Sequence, residues 1–151
     1  MAIVRLLVVD DFRLWRDCVQ AHLEGYAKVH IAGFASDGLE ALQKVGELQP
    51  DLVLLDISLP RLGGIETARR IRELRPGCKI IFLTGHVNPE ILQAALEAGG
   101  CGYVHKEDAA TELLPSLESV LVGQQYLSRS VAGLDDVPKS AKRNRSYSKF
   151  A

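Results

Sequence analysis

Short apolar runs alternate with segments of three- and four-residue apolar spacing five times before Gly123 of this 151-residue chain, which commits it to repeated strand–helix units. The runs are continuously apolar: Ile3 to Val9 is broken only by Arg5, and Leu52 to Leu55 is not broken at all. A strand of that composition has both faces buried, so the pattern predicts an α/β fold with a doubly wound parallel sheet and helices on both faces.

The units can be placed individually. After the first strand, Trp15, Cys18, Val19, His22 and Leu23 recur at helical spacing and Gly25 supplies a stop. Val29 to Phe34 is the second strand, Ser36-Asp37-Gly38 a turn and cap, and the next helix is expected to bury Leu39, Leu42 and Val45. Leu52 to Leu55 leads into Asp56 and a Pro-Gly loop, followed by a helix marked by Ile65, Ala68, Ile71 and Leu74, with Arg69, Arg70 and Arg72 outside. Ile80 to Leu83 is the fourth strand; Pro89 suits the first turn of the helix carrying Ile91, Leu92, Ala95 and Leu96, which Gly99-Gly100 closes. Tyr103-Val104 is a short fifth strand. The last helix aligns Leu113, Leu117, Val120 and Leu121, and Pro115 argues for a start near Thr111, where a missing amide donor costs little.

Composition narrows the class further. With 47% hydrophobic residues the chain can build one full core, and residues 1–124 are assigned to it; residues 125–151 read as a linker and a basic, disordered tail. From Arg129 onward six basic residues face two acidic ones, so the tail is +4 and the body −5. No apolar run reaches the roughly 20 residues of a membrane span and no signal-peptide pattern opens the chain, so a cytoplasmic protein without membrane contact is expected. Cys18, Cys78 and Cys101 read as buried free thiols, and the four histidines show no metal-ligand spacing.

Ligands of an open parallel sheet bind outside the carboxyl ends of its strands, where this sequence concentrates its reactive residues. Asp10 and Asp11 follow the first strand, Asp56 the third, Thr84 the fourth and Lys106 the fifth. Three carboxylates at one edge repel one another unless a divalent cation sits among them, and an oxygen-only site of this kind suits Mg²⁺. A carboxylate can itself take a phosphoryl group, with Lys106 and the Thr84 hydroxyl spreading the charge on its oxygens. A lone aspartate after a strand is more often a helix cap, the role given to Asp37; it is the combination that points to phosphoryl transfer.

These segments resemble the receiver domains of bacterial response regulators. The resemblance covers residues 3 to about 123 and is carried by Leu6-Leu7-Val8-Val9-Asp10-Asp11, Asp56-Ile57-Ser58-Leu59-Pro60 with Gly64-Ile65-Glu66, Leu83-Thr84-Gly85, and Gly102-Tyr103-Val104-His105-Lys106. It implies a flavodoxin-like five-stranded sheet of order 2-1-3-4-5, and a phosphoacceptor switch of a two-component system with only self-catalysed phosphotransfer and autodephosphorylation, not an enzyme acting on other substrates. It implies Asp56 as phosphoacceptor, and Mg²⁺ held by Asp10, Asp11, Asp56 and the Ser58 backbone carbonyl. Thr84 and Lys106 would bind the phosphoryl group, and Thr84 and Tyr103 would form a switch pair in which the ring turns inward. The implied donor is a sensor histidine kinase or phosphotransfer protein. The implied output surface is the fourth helix, fifth strand and fifth helix, with apolar residues among Ile91, Leu92, Leu114 and Leu121 left exposed for a partner or for a homodimer.

Three residues depart from the family pattern. Glu107 stands where many receivers have proline, which predicts altered loop geometry or strain after Lys106; Leu59 replaces a common methionine; and Gly63 stands where Asp or Asn is frequent, which should loosen the loop after Asp56. A phosphatase of the haloacid dehalogenase type would want a third-position carboxylate where Phe12 stands, and a dinucleotide binder would not place Asp10-Asp11 against phosphate. Residues 112–128 resemble the receiver-to-linker region of regulators of the NarL, FixJ and LuxR type, which carry a helix-turn-helix domain. A stand-alone receiver and a truncated DNA-binding regulator are both open, the former favoured; nucleic acid is not expected to bind through this chain alone.

Overall fold

The computed structural model describes residues 2–135. Five strands, β1 (Val4–Val9), β2 (Val29–Ala35), β3 (Leu52–Leu55), β4 (Lys79–Thr84) and β5 (Gly102–His105), alternate with α1 (Arg13–Leu23), α2 (Gly38–Leu48), α3 (Gly64–Leu74), α4 (Pro89–Glu97) and α5 (Ala109–Leu121). A sixth strand, β6 (Tyr126–Leu127), and a short helix, α6 (Arg129–Asp135), complete the described chain. All pairings are parallel and the order is β2-β1-β3-β4-β5-β6. The flavodoxin-like arrangement is therefore as expected, with one strand more than the five anticipated.

Successive residues of a strand point to opposite faces, and here both faces are apolar, which produces two cores. Leu7, Val9, Val53, Leu55, Ile80, Phe82 and Tyr103 pack under α2, α3, α4 and α6; Leu6, Val8, Leu52, Leu54, Ile81, Leu83 and Val104 pack under α1 and α5. The caps follow local chemistry. Asp37 accepts the Glu40 amide at 2.8 Å, and the Glu40 carboxylate reaches back to the Ser36 amide at 2.8 Å, so two unsatisfied donors at the start of α2 are met reciprocally. Asn88 caps α4 and Pro89 occupies its first turn, while Gly99 takes φ +108° after it.

Several expectations need correction. Leu39 and Leu74 are 43% and 59% exposed, and the buried apolar side chains of their helices are Ala41, Val45, Ala68 and Ile71. The last helix begins at Ala109, not near Thr111, so Pro115 lies inside it. It is tolerated because Pro115 and Thr111 are both exposed, and water can take the bond that the Thr111 carbonyl loses. The boundary at residue 124 moves as well: Leu127, Ser128 and Val131 are buried, so part of the segment read as linker and tail is folded against the domain. Residues 136–151, the rest of the basic tail, lie outside the described residues.

Candidate functional site

The carboxyl ends of β1 and β3 bring three aspartates together. Oxygens of Asp10, Asp11 and Asp56 lie within 4.8 Å of one another, with Asp10 and Asp56 buried and Asp11 exposed. β1 and β3 are adjacent and in register from Leu6 opposite Leu52 to Val9 opposite Leu55, so the residues that follow each strand emerge side by side. Lys106, from the end of β5, crosses to them: its Nζ is 2.8 Å from Asp10 Oδ2 and 3.2 Å from Asp56 Oδ2. One ammonium against three carboxylates leaves the cluster net negative. Burial raises the Asp10 carboxyl above its ordinary value; the Lys106 and Phe12 contacts oppose that shift and the charge of Asp56 adds to it. Oxygen-only donors with residual negative charge fit Mg²⁺.

The backbone around the cluster is held closely. The Phe12 amide donates to Asp10 Oδ1 at 2.9 Å, Arg16 Nη1 donates to the Asp10 carbonyl at 2.7 Å, and the Ser58 amide donates to Asp56 Oδ1 at 3.3 Å. Gly64 is where the chain passes closest behind the site: a Cβ there would meet the Asp56 carbonyl at 2.0 Å and Ile57 Cα at 2.6 Å. Its amide donates to the Ile57 carbonyl at 2.8 Å, and Thr67 Oγ1 donates to the Gly63 carbonyl at 2.8 Å. The loop expected to be loosened by Gly63 is thus tied at both of its glycines.

Thr84 and Tyr103 are brought together indirectly. Both are fully buried; Thr84 Oγ1 accepts the His86 amide at 3.1 Å and the Tyr103 hydroxyl donates to the His86 carbonyl. The Tyr103 ring is already inside, tilted against Phe82 at 6.1 Å between centroids. Burial pushes its hydroxyl well above the ordinary tyrosine value, and the nearby Asp56 adds to that. After Lys106 the chain makes a 3₁₀ turn, Lys106–Asp108, directly into α5, and every peptide bond of the described residues is trans. That turn is the loop geometry Glu107 permits.

Two groups of residues escaped the sequence reading. Trp15, assigned only to the core, has the Lys106 Nζ 4.9 Å from its ring centroid. The second group fastens β6 and α6. Asp108 accepts from Ser128 Oγ at 2.6 Å, the Ser130 amide at 2.9 Å and Ser130 Oγ at 3.0 Å; Glu112 accepts from Tyr126 Oη at 2.6 Å and the Arg129 amide at 3.0 Å. With Leu127 paired beside Tyr103 and Val131 in the core cluster that also holds Leu92 and Ala95, this segment packs against the face expected to be the output surface. Leu92 is buried, and Ile91, Leu114 and Leu121 are half-buried, so none is left broadly open.

Fold and site together define a flavodoxin-like α/β domain of the receiver type, with an acidic pocket at the carboxyl edge of its sheet. The chain belongs to the response regulator receiver domain family, whose sequence profile matches residues 6–118. It is 33% identical over 129 residues to the response regulator GacA of Pseudomonas viridiflava, covering 85% of this chain and 60% of that protein. The likeness to the response regulator UvrY of Escherichia coli K12 is also 33% over 129 residues, covering 85% and 59%. The chain thus spans about three-fifths of the length of these curated relatives. Among solved structures, a two-component response regulator of the LuxR family from Aurantimonas sp. SI85-9A1 matches with TM-score 0.82 and 32% identity, over 87% of this chain and 94% of that one. The isolated receiver domain of RcsB from Salmonella enterica serovar Typhimurium, solved with the phosphomimetic BeF3-, matches with TM-score 0.83 and 26% identity, over 88% and 99%. Among the described residues no helix is long and apolar enough to cross a membrane.

Proposed function

We propose that this domain is a phosphorylation switch in which Asp56 accepts a phosphoryl group from a histidine of a sensor kinase or phosphotransfer protein. The observation that carries the reading is the buried Asp56 carboxylate, 3.2 Å from an ammonium that also bonds Asp10, within a cluster of three carboxylates. Asp10, Asp11, Asp56 and the Ser58 carbonyl would hold Mg²⁺, which would offset the charge of the carboxylates and of the incoming phosphoryl oxygens.

A carboxylate oxygen of Asp56 attacks phosphorus; the new P–O bond forms as the P–N bond to the donor imidazole breaks, and that ring leaves with the bonding pair. Lys106, already between Asp10 and Asp56, neutralises a phosphoryl oxygen. Thr84 can exchange its bond from the His86 amide for one to the phosphoryl group, which loosens the loop that Tyr103 holds from the other side. Phosphorylation then biases an existing equilibrium of the face formed by α4, β5 and α5. Because β6 and α6 lie on that face, they are the first elements to sense it, ahead of a target or a second copy of the chain. The protein acts on itself and not on other substrates. Incubation with acetyl phosphate tests this by intact mass: gain of one phosphoryl group with Mg²⁺ and none with excess EDTA is expected, and equal gain in both would overturn it.

A further inference from the structure

Trp15 is the single tryptophan of the chain, and its place beside the site is built and not incidental. It sits in the first turn of α1, where its amide and that of Arg16 both donate to the Phe12 carbonyl, at 3.0 and 3.3 Å. Arg16 ties the same turn to β1 through the Asp10 carbonyl at 2.7 Å. The half-buried indole packs against the core cluster beneath α1 and borders a small cavity there together with Val8, Val19, Leu54 and Leu83. The Lys106 ammonium lies over its ring, 4.9 Å from the centroid, while bonding Asp10 and Asp56.

Lys106 faces a conflict that the geometry makes explicit. Its shortest bond is to Asp10 Oδ2, an oxygen of the very cluster that would bind a divalent cation. A dication drawing on Asp10 and Asp56 weakens the hold of both carboxylates on Lys106, so the ammonium needs a further contact that keeps it beside Asp56 when the cluster is loaded. An aromatic face meets that need. It attracts an ammonium through its quadrupole but offers no oxygen for which the metal would compete.

We propose that Trp15 is a positioning residue of the site, holding Lys106 Nζ beside Asp56 when Asp10 is engaged by the divalent cation. The inference rests on the phosphoryl-accepting reading above. Without the indole, the ammonium would fall back on Asp10 and compete with the cation, so Trp15 links metal affinity to lysine placement.

The test is a double-mutant cycle on the full chain, with Mg²⁺ affinity measured by calorimetry and no phosphodonor present. Trp15→Leu should weaken Mg²⁺ binding about 3- to 30-fold, the range of a partly desolvated cation–π contact, and Trp15→Phe should restore most of it. In a Lys106→Met background Trp15→Leu should change the affinity by less than about twofold, because the partner through which it acts is gone. The rate of phosphorylation by acetyl phosphate at saturating Mg²⁺ should fall in the same order, Leu below Phe, and only when Lys106 is present. Equal losses in both backgrounds, or a Phe variant as impaired as Leu, would overturn the positioning role and leave Trp15 as packing. Absence of Mg²⁺ binding by the unsubstituted chain overturns the parent reading, and the inference with it.

Discussion

Asp108→Ala should release β6 and α6 while leaving the rest of the domain folded. Asp108 is the common acceptor for the Ser128 hydroxyl, the Ser130 amide and the Ser130 hydroxyl, and Ser128 is itself fully buried. Losing a helix-capping acceptor costs about 0.5–2 kcal/mol, and stranding a buried hydroxyl about 1–3 kcal/mol; the two overlap here because Ser128 keeps its bond from the His105 amide. A local cost of about 2–3 kcal/mol corresponds to roughly 30- to 150-fold more frequent opening of the segment. Hydrogen exchange reads this directly. The amides of Ser128, Val131 and Ala132 donate to the Tyr103, Ser128 and Ser128 carbonyls, and these should lose protection while β1 and β3 keep theirs. Glu112, holding Tyr126 and Arg129, should leave partial protection at β6. Unchanged exchange at residues 128–132, or equal acceleration throughout the sheet, would refute the idea that Asp108 is the fastener.

Other outcomes follow from the same geometry. The clip should weaken in acid: burial favours the protonated Asp108, but the bonds from Ser128 and Ser130 outweigh it and hold the carboxyl below its ordinary 3.8, so its contribution is intact above that value and is lost as pH falls through the lower folded one; amide exchange across a pH series checks the onset. Gly64→Ala should destabilise the fold by about 1–3 kcal/mol or more, since the new methyl meets backbone and not a movable side chain, and urea unfolding measures it. Burial pushes the Cys78 thiol up to about 12, so at neutral pH it should react with thiol reagents far more slowly than the half-exposed Cys18 and Cys101, as peptide mapping would show. Val131→Asp places a charge in a fully buried site and should expose the α4 side of the sheet, raising binding of a hydrophobic dye.

How far the sequence carries depends on whether a feature is local. The five strand–helix units were legible because strands of this kind are unbroken apolar runs, and the carboxyl-edge residues because each follows such a run directly: Asp10 after Val9, Asp56 after Leu55, Lys106 after His105. Spacing alone does not fix how far a helix face extends, so the apolar pattern carries Leu39 and Leu74 inward although both are exposed. Nor could it reveal β6 and α6. They are short, two and seven residues, and bury little on their own; what holds them is long-range: Leu127 beside Tyr103, Val131 in the core, and the carboxylates of Asp108 and Glu112 well upstream, as Ser128 to Asp108 illustrates. Trp15 was visible only as a member of an apolar stripe, because the lysine it meets enters from the far end of the chain. A tryptophan one turn after a pair of strand-end aspartates was the signal available for it.

The most direct test of the central claim is to locate the phosphoryl group chemically. After acetyl phosphate treatment with Mg²⁺, borohydride reduction converts an aspartyl phosphate to homoserine, and tandem mass spectrometry reads its position. Homoserine at position 56, with no phosphoryl gain by Asp56→Asn, is the predicted result. Reduction at Asp10, Asp11 or any other residue, or a phosphoryl gain that survives Asp56→Asn, would contradict it.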